Sequence, residues 1–349
     1  MTDSYQRLPA EWEPQDAVLI AWPHKNTDWE WMLHDVTQLY EALVSVICDY
    51  ADVVIALPAD EIEGARLRLE AMSVPPEYVY FYPVDTREIW VRDYAPMAVK
   101  TNGGVKLLDF KSNGCGNKYC TLLDGQLSKK LNDQQAFPAA TFESQDWVLE
   151  GGSIEIDCEG ALLTTSACLL NQNRNPHLSK LDIETKLGAL FGAKKINWLE
   201  HGFFLGDDSD GHIDNLARFC PNNTIVYSAC DDVDDEHYQE LKEMEREISS
   251  LTNVNGDLYR ILALPWPGAK FNDDNKRIPV SYANFVVINE CVLVPIYDAL
   301  SDEDALEIIS QAFPGFEIMG IPCSTLIERG GGLHRIVMPL PEGVLFEAF

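Results

Sequence analysis

Positive charge is scarce in this chain of 349 residues: 26 Lys and Arg stand against 56 Asp and Glu, a formal net charge of −30 at pH 7. No basic stripe survives such a balance, so nucleic acid is not an expected partner. Long apolar runs are also lacking. The longest, such as Ala17–Trp22, are strand-sized and far short of a membrane span, so no membrane partner is expected. The opening residues MTDSYQRLPAEWEP show no basic stretch followed by an apolar one, so a secretory leader is not expected either. Paired cysteine motifs are missing. Nine Cys are scattered without a CxxC, and Cys115 and Cys120, the nearest two, have no second pair to complete a zinc site. These absences together imply a reduced, cytoplasmic protein whose cysteines are mostly small core residues.

What is present is a large apolar fraction, 46%, enough for a sizeable core. No low-complexity segment or composition break divides the chain, which reads as one domain over 1–349. Short apolar runs predict strands at Ala17–Trp22, Val53–Leu57, Tyr78–Tyr82, Met97–Val99, Val105–Phe110, Ala161–Thr165, Lys195–Leu199, Thr224–Ser228 and Ile261–Leu264. Period-3.6 stripes predict helices at Met32–Tyr50, Ala59–Met72, Leu178–Phe191 and Glu236–Leu251, with a further helix at Asp302–Phe313 capped by Ser301. Val280–Ile288 and Val292–Ile296 read as a hairpin, and Pro265–Pro279 as a long polar loop, a candidate lid by its length. Many strands come as hairpins, which argues for an α/β fold other than a plain doubly wound sheet.

The densest chemistry lies in Gly206-Asp207-Asp208-Ser209-Asp210-Gly211-His212-Ile213-Asp214. From Gly211 onward the alternation suggests a strand with His212 and Asp214 on one face, able to meet one small substrate. A solvated acidic turn feeding a strand accounts for the same string equally well. Other polar clusters sit beside glycine or at strand ends: Trp90/Arg92/Asp93, Glu150 before Gly151-Gly152, and His334/Arg335 after three glycines. Glycine lets a backbone approach a ligand closely. Taken singly, Glu150 reads as a strand-end carboxylate, His334 as a satisfied core histidine and Trp90 as core. The Gly-rich stretch at 113–119 has neither the spacing nor the Ser/Thr of a phosphate loop.

Taken together, the clusters resemble the agmatine deiminase and bacterial-type peptidylarginine deiminase family of guanidino-group-modifying proteins. The likeness runs through WPH at 22–24, EIWVRDYAP at 88–96, NGCGNKY at 113–119, LEGGSIEID at 149–157, LLNQNRNP at 169–176, GDDSDGHIDNLARF at 206–219, SYANF at 281–285 and GGGLH at 330–334. The resemblance implies a pentein α/β-propeller, five pseudo-symmetric ββαβ modules around a central site, and a C–N hydrolase acting on a guanidino compound. Agmatine, converted to N-carbamoylputrescine and ammonia, is the implied substrate, and peptidyl-arginine stays open. By similarity, Asp93 and Asp214 hold the guanidinium, Glu150 and His212 manage protons, and Trp90 lines the substrate. Asp208 is placed like an acidic residue meeting the far amine of agmatine. A planar, permanently cationic group suits a two-carboxylate clamp making charge-assisted hydrogen bonds.

No cofactor is implied, and no metal: metal-dependent ureohydrolases draw Asp and His from several strands, and no second Asp/His cluster completes a two-metal site. A homo-oligomer is left open.

At one position the chain departs from the family. The nucleophilic Cys follows the His of the glycine motif, yet His334 is followed here by Arg335. Cys323, the nearest cysteine in sequence, lies before the glycines and matches no nucleophile position. Arginine cannot attack a guanidinium carbon, because it stays protonated. Pointing inward, it pairs with Asp93 or Asp214 and mimics a bound substrate. The expectation is an inactive deiminase with an otherwise intact site; the alternative is a non-catalytic binder of guanidinium or arginine.

Overall fold

A computed structural model describes residues 5–346. Its strands form five sheets of three or four strands and one two-stranded hairpin. Each of the five sheets joins an antiparallel pair to a parallel one. Met97–Thr101, Gly104–Lys111 and Ala140–Val148 follow this pattern, as do Ile154–Ile156, Ala161–Thr165 and Lys195–Leu199. Ala217–Cys220, Thr224–Ser228 and Arg260–Leu264 repeat it, as do Val286–Ile288, Cys291–Ile296 and Glu317–Pro322. In the fifth sheet Met338–Pro341 lies antiparallel to Gln15–Ala21, which runs parallel to Asp52–Leu57. The last strand of the chain thereby lies against one of the first, and it carries the C-terminal glycine motif with it.

The parallel pairs need crossovers, and helices supply them. Leu33–Ile47, Leu127–Asp133, Lys180–Phe191, Tyr238–Ser250 and Asp302–Ala312 each lie between the two parallel strands of one sheet. The first buries Val36, Tyr40, Leu43, Val44 and Ile47, a stripe at helical spacing that packs on strands apolar over both faces.

Four sequence expectations change. His212 and Asp214 are not on a strand: Ile213–Leu216 is a short helix and the strand begins at Ala217. The cause is local. Asp207 accepts from the backbone N–H groups of Ser209 and Gly211, and Gly211 sits at φ +84°, which curls the chain before a ladder can form. The Pro265–Pro279 loop contains a hairpin, Lys270–Phe271 against Arg277–Ile278, closed by the Asn272 side chain accepting from Lys276 N–H. Within Val280–Ile288 only Val286–Ile288 is strand, and Ser281 instead bonds the Ala283 N–H and the Asn215 carbonyl. Ser301 does not cap its helix: its hydroxyl meets Tyr282, while Asp302 accepts from the N–H groups of Tyr297 and Ala299.

Candidate guanidinium site

Trp90 precedes and Asp93 ends a single helical turn, Val91–Asp93, and both side chains are buried. The three glycines at 330–332 explain how the C-terminal motif reaches them. A β-carbon on Gly331 would lie 2.1 Å from the Trp90 ring, and one on Gly332 would lie 2.1 Å from Asn284 Oδ1. Only bare backbone passes there, and the chain then turns through His334–Ile336 and aims Arg335 inward.

The Arg335 guanidinium fills a cradle. Its Nε donates to Asp93 Oδ2 at 2.7 Å, Nη1 to Asp208 Oδ1 at 2.8 Å and Nη2 to Cys115 Sγ at 3.2 Å. Its carbon lies 4.9 Å from the centroid of the Trp90 ring, a cation–π distance. The expected partner was Asp93 or Asp214; the carboxylates found are Asp93 and Asp208, while Asp214 Oδ2 meets His334. Burial opposes the charge of Arg335, yet Asp208 and Asp93 more than offset it and keep the group firmly protonated. Asp208 also takes the Tyr119 hydroxyl.

Asp93, Glu150, His212 and Asp214 do converge, all less than a tenth exposed. His212 Nδ1 lies 3.7 Å from Asp93 Oδ1. Gly152 places its backbone so close that a β-carbon there would lie 2.6 Å from His212 Nδ1 and 2.7 Å from Asp214 Oδ2. Burial pushes the Asp93 carboxyl up to about 6, with Glu150 and Asp214 adding to the rise and Arg335 opposing it. Burial also drives the His212 imidazole well below its usual range, helped by the charges of Arg174 and Arg335. Three atoms here are buried with no hydrogen-bond partner: Asp93 Oδ1, Asp214 Oδ1 and His212 Nε2. Unsatisfied polar atoms are rare in protein interiors, and three together mark a place built for something else.

Two residues of the site escaped the sequence reading. Arg174 Nε donates to both oxygens of Glu150 at 3.0 Å, and Nη1 donates to Asp210 at 2.8 Å. It was visible in the LLNQNRNP string, but nothing in the sequence tied it to Glu150. Cys115 is the second. It sits in a left-handed turn, Gly114 to Asn117, at φ +51°, which no sequence pattern announces for a cysteine. Its sulfur accepts an N–H of Arg335 and so lies near the guanidinium plane, whereas attack on the carbon requires approach from above that plane. Burial also pushes its thiol well above the ordinary range. Cys115 is therefore a wall of the cradle. Cys323 is fully buried in the core and meets none of these groups.

Among the described residues, Glu150, Cys168 and His212 bring possible metal-ligand atoms within 4.8 Å of one another. The set fits a cation poorly, since the buried Arg174 guanidinium already occupies both Glu150 oxygens.

The signature of the Porphyromonas-type peptidyl-arginine deiminases matches residues 7–341. The chain belongs to this family. Among relatives of this deiminase-family chain, an agmatine deiminase of Medicago truncatula is 31% identical, over 96% of each chain. A Cys-to-Ser variant of the C. jejuni agmatine deiminase, solved with substrate bound, is 34% identical and superposes with a TM-score of 0.90, covering 99% of this chain and 98% of that one. An inosamine-phosphate amidinotransferase of Streptomyces griseus, 10% identical, shares the fold alone at a TM-score of 0.51, over 98% of this chain and 100% of that one. By family the protein is a deiminase-type hydrolase of mixed α/β fold. Among the described residues no helix is long and apolar enough to cross a membrane.

Proposed function

We propose that this chain carries the guanidinium cradle of an agmatine deiminase and that its own Arg335 occupies it, so that the chain as written does not turn over. The chemistry of the cradle is cofactor-free C–N hydrolysis of a small guanidino compound, agmatine to N-carbamoylputrescine and ammonia. A thiolate attacks the guanidinium carbon, ammonia leaves, and water releases the ureido product. In that scheme Asp93 and Asp214 orient the guanidinium, Glu150 and His212 move protons and Trp90 stacks over it. The repeated antiparallel-then-parallel sheet pattern supports the pentein propeller as the frame, one ββαβ module per sheet, and the composition supports a cytoplasmic setting.

One observation carries the reading: a guanidinium, that of Arg335, lies on Trp90 between Asp93 and Asp208. Removing the nucleophile from a catalytic unit costs on the order of 10⁶ in rate. In a citrulline-type colour assay with agmatine, the chain as written should give no turnover and Arg335→Cys a clear signal. Substantial turnover by the unaltered chain would overturn the assignment of position 335.

A further inference from the structure

His334 precedes the site arginine, and its ring is held at both ends. Nδ1 faces Asp214 Oδ2 at 2.8 Å and Nε2 faces Glu11 Oε2 at 2.7 Å. The backbone fixes the ring as well: His334 N–H donates to Asn284 Oδ1 at 2.9 Å, and its carbonyl accepts from Arg92 Nε at 3.3 Å. Carboxylates only accept, so both contacts become hydrogen bonds only when both ring nitrogens carry protons.

Glu11 is just as tightly determined. Its Oε1 accepts the Val287 N–H at 2.9 Å. Besides His334, its Oε2 lies 3.2 Å from Arg92 Nη2 and 3.3 Å from Arg218 Nη2. Burial pushes the Glu11 carboxyl up, but the charges of His334, Arg218 and Arg92 outweigh it and hold it well below the usual range. Arg218 is shared with Glu155 and the His334 ring with Asp214, so Glu11 belongs to a network of three carboxylates, and burying such a network is costly. Asp214 supplies a reason: one oxygen is bound to His334, and the other is buried and unpartnered on a residue whose charge acts on Asp93.

Resting on the proposed guanidinium-binding reading, we infer that Glu11 and His334 are positioning residues for Asp214. Glu11 fixes the His334 ring, the ring holds Oδ2 of Asp214, and Oδ1 is left presented to a ligand. Neither side chain bonds to the Arg335 guanidinium, whose partners are Asp93, Asp208 and Cys115. Glu11 is reached from a separate cavity of about 80 Å³, lined also by Arg92, Ile154, His334 and Met338, which shares no lining residue with the recess around Arg335.

The first test uses the full chain as written, with ¹⁵N-labelled histidine. One ring, assigned by its loss in His334→Gln, should show both nitrogens protonated at neutral pH, and Glu11→Gln should convert it to a single tautomer. A singly protonated His334 in the unaltered chain overturns the proposal, and this readout needs neither turnover nor ligand binding. The second test works in the Arg335→Ala background and measures affinity for guanidinium ion. Glu11→Ala should weaken it at least tenfold, and sodium formate, small enough for the vacated cavity, should restore it. Unchanged affinity, or a loss that formate does not reverse, marks Glu11 as ordinary packing and overturns the proposal. If Arg335→Ala binds no guanidinium at all, the cradle reading fails, while the histidine spectrum still decides the role of Glu11.

Discussion

Arg335 was legible as a departure, because a cysteine is expected after the His of the glycine motif. Its partner was less so, since Asp208 and Asp214 lie six residues apart in one acidic string and only the fold decides which meets the guanidinium. Truncating Arg335 to Ala leaves the buried Asp93 and the partly buried Asp208 without their cation. Breaking such a buried pair costs about 3–5 kcal/mol. The unaltered chain must give up Arg335 contacts to admit a ligand, and one charge-assisted hydrogen bond is worth about 1.5–3 kcal/mol, roughly 10- to 100-fold in affinity. Arg335→Ala should therefore melt lower than the parent, recover on adding millimolar guanidinium, and bind agmatine in calorimetry at least tenfold more tightly. Equal affinity in the two proteins would remove Arg335 from the cradle.

Asp93 makes a second prediction at this scale. Its carboxyl is pushed from an ordinary 3.8 to about 6 in the folded chain. The folded state thus holds this proton more strongly than the unfolded state. The stability so contributed is complete below about pH 4 and is lost as pH rises through about 6. Melting temperatures of Asp93→Asn, which cannot titrate, should lack that part of the decline between pH 4 and 7. Parallel curves for the two proteins would refute the shift.

At the scale of elements, most buried strands and the long helices were readable from their apolar period, whereas Ala140–Val148 and Glu317–Pro322, half-exposed along most of their length, were missed. The stretches that build the site were not readable, because side chains there bond to backbone. Gly206 to Gly211 looked like the entry to a strand, yet Asp207 winds it into a turn and each acidic neighbour finds its own cation: Asp208 takes Arg335, and Asp210 takes Arg174 and Lys118. The turn at Gly114–Asn117 was legible from its glycines, but the left-handed conformation of Cys115 within it was not, since that follows from the fold around it. Gly151-Gly152, by contrast, was flagged, and the reason is now geometric. Gly152→Ala places a methyl inside contact distance of His212 and Asp214. Overpacking of this kind costs about 1–3 kcal/mol. The variant should fold with that loss in chemical denaturation, and in the Arg335→Ala background it should bind guanidinium at least tenfold more weakly. Retained affinity would mean that the backbone has room to spare beside the clamp.

Over the whole molecule, what composition announced was charge. A formal −30 on 349 residues leaves most carboxylates without a partner cation, and their mutual repulsion opposes the compact state. Screening follows the Debye length, about 10 Å at 0.1 M salt and about 3 Å at 1 M. The buried pairs of the cradle lie within about 3 Å of each other and are shielded from solvent, so added salt weakens them little. The same ions quench the long-range surface repulsion. Raising NaCl from about 0.01 to 0.5 M should therefore raise the melting temperature. The acidic field should act on ligands with the opposite sign. In Arg335→Ala the association rate of dicationic agmatine should fall steeply with salt as steering is lost, whereas its dissociation rate, set by the buried clamp, should change little. Stopped-flow measurements across that range separate the two rates. If the salt dependence falls mainly on dissociation, the recognising charges are solvent-exposed and the buried cradle is not what holds the ligand.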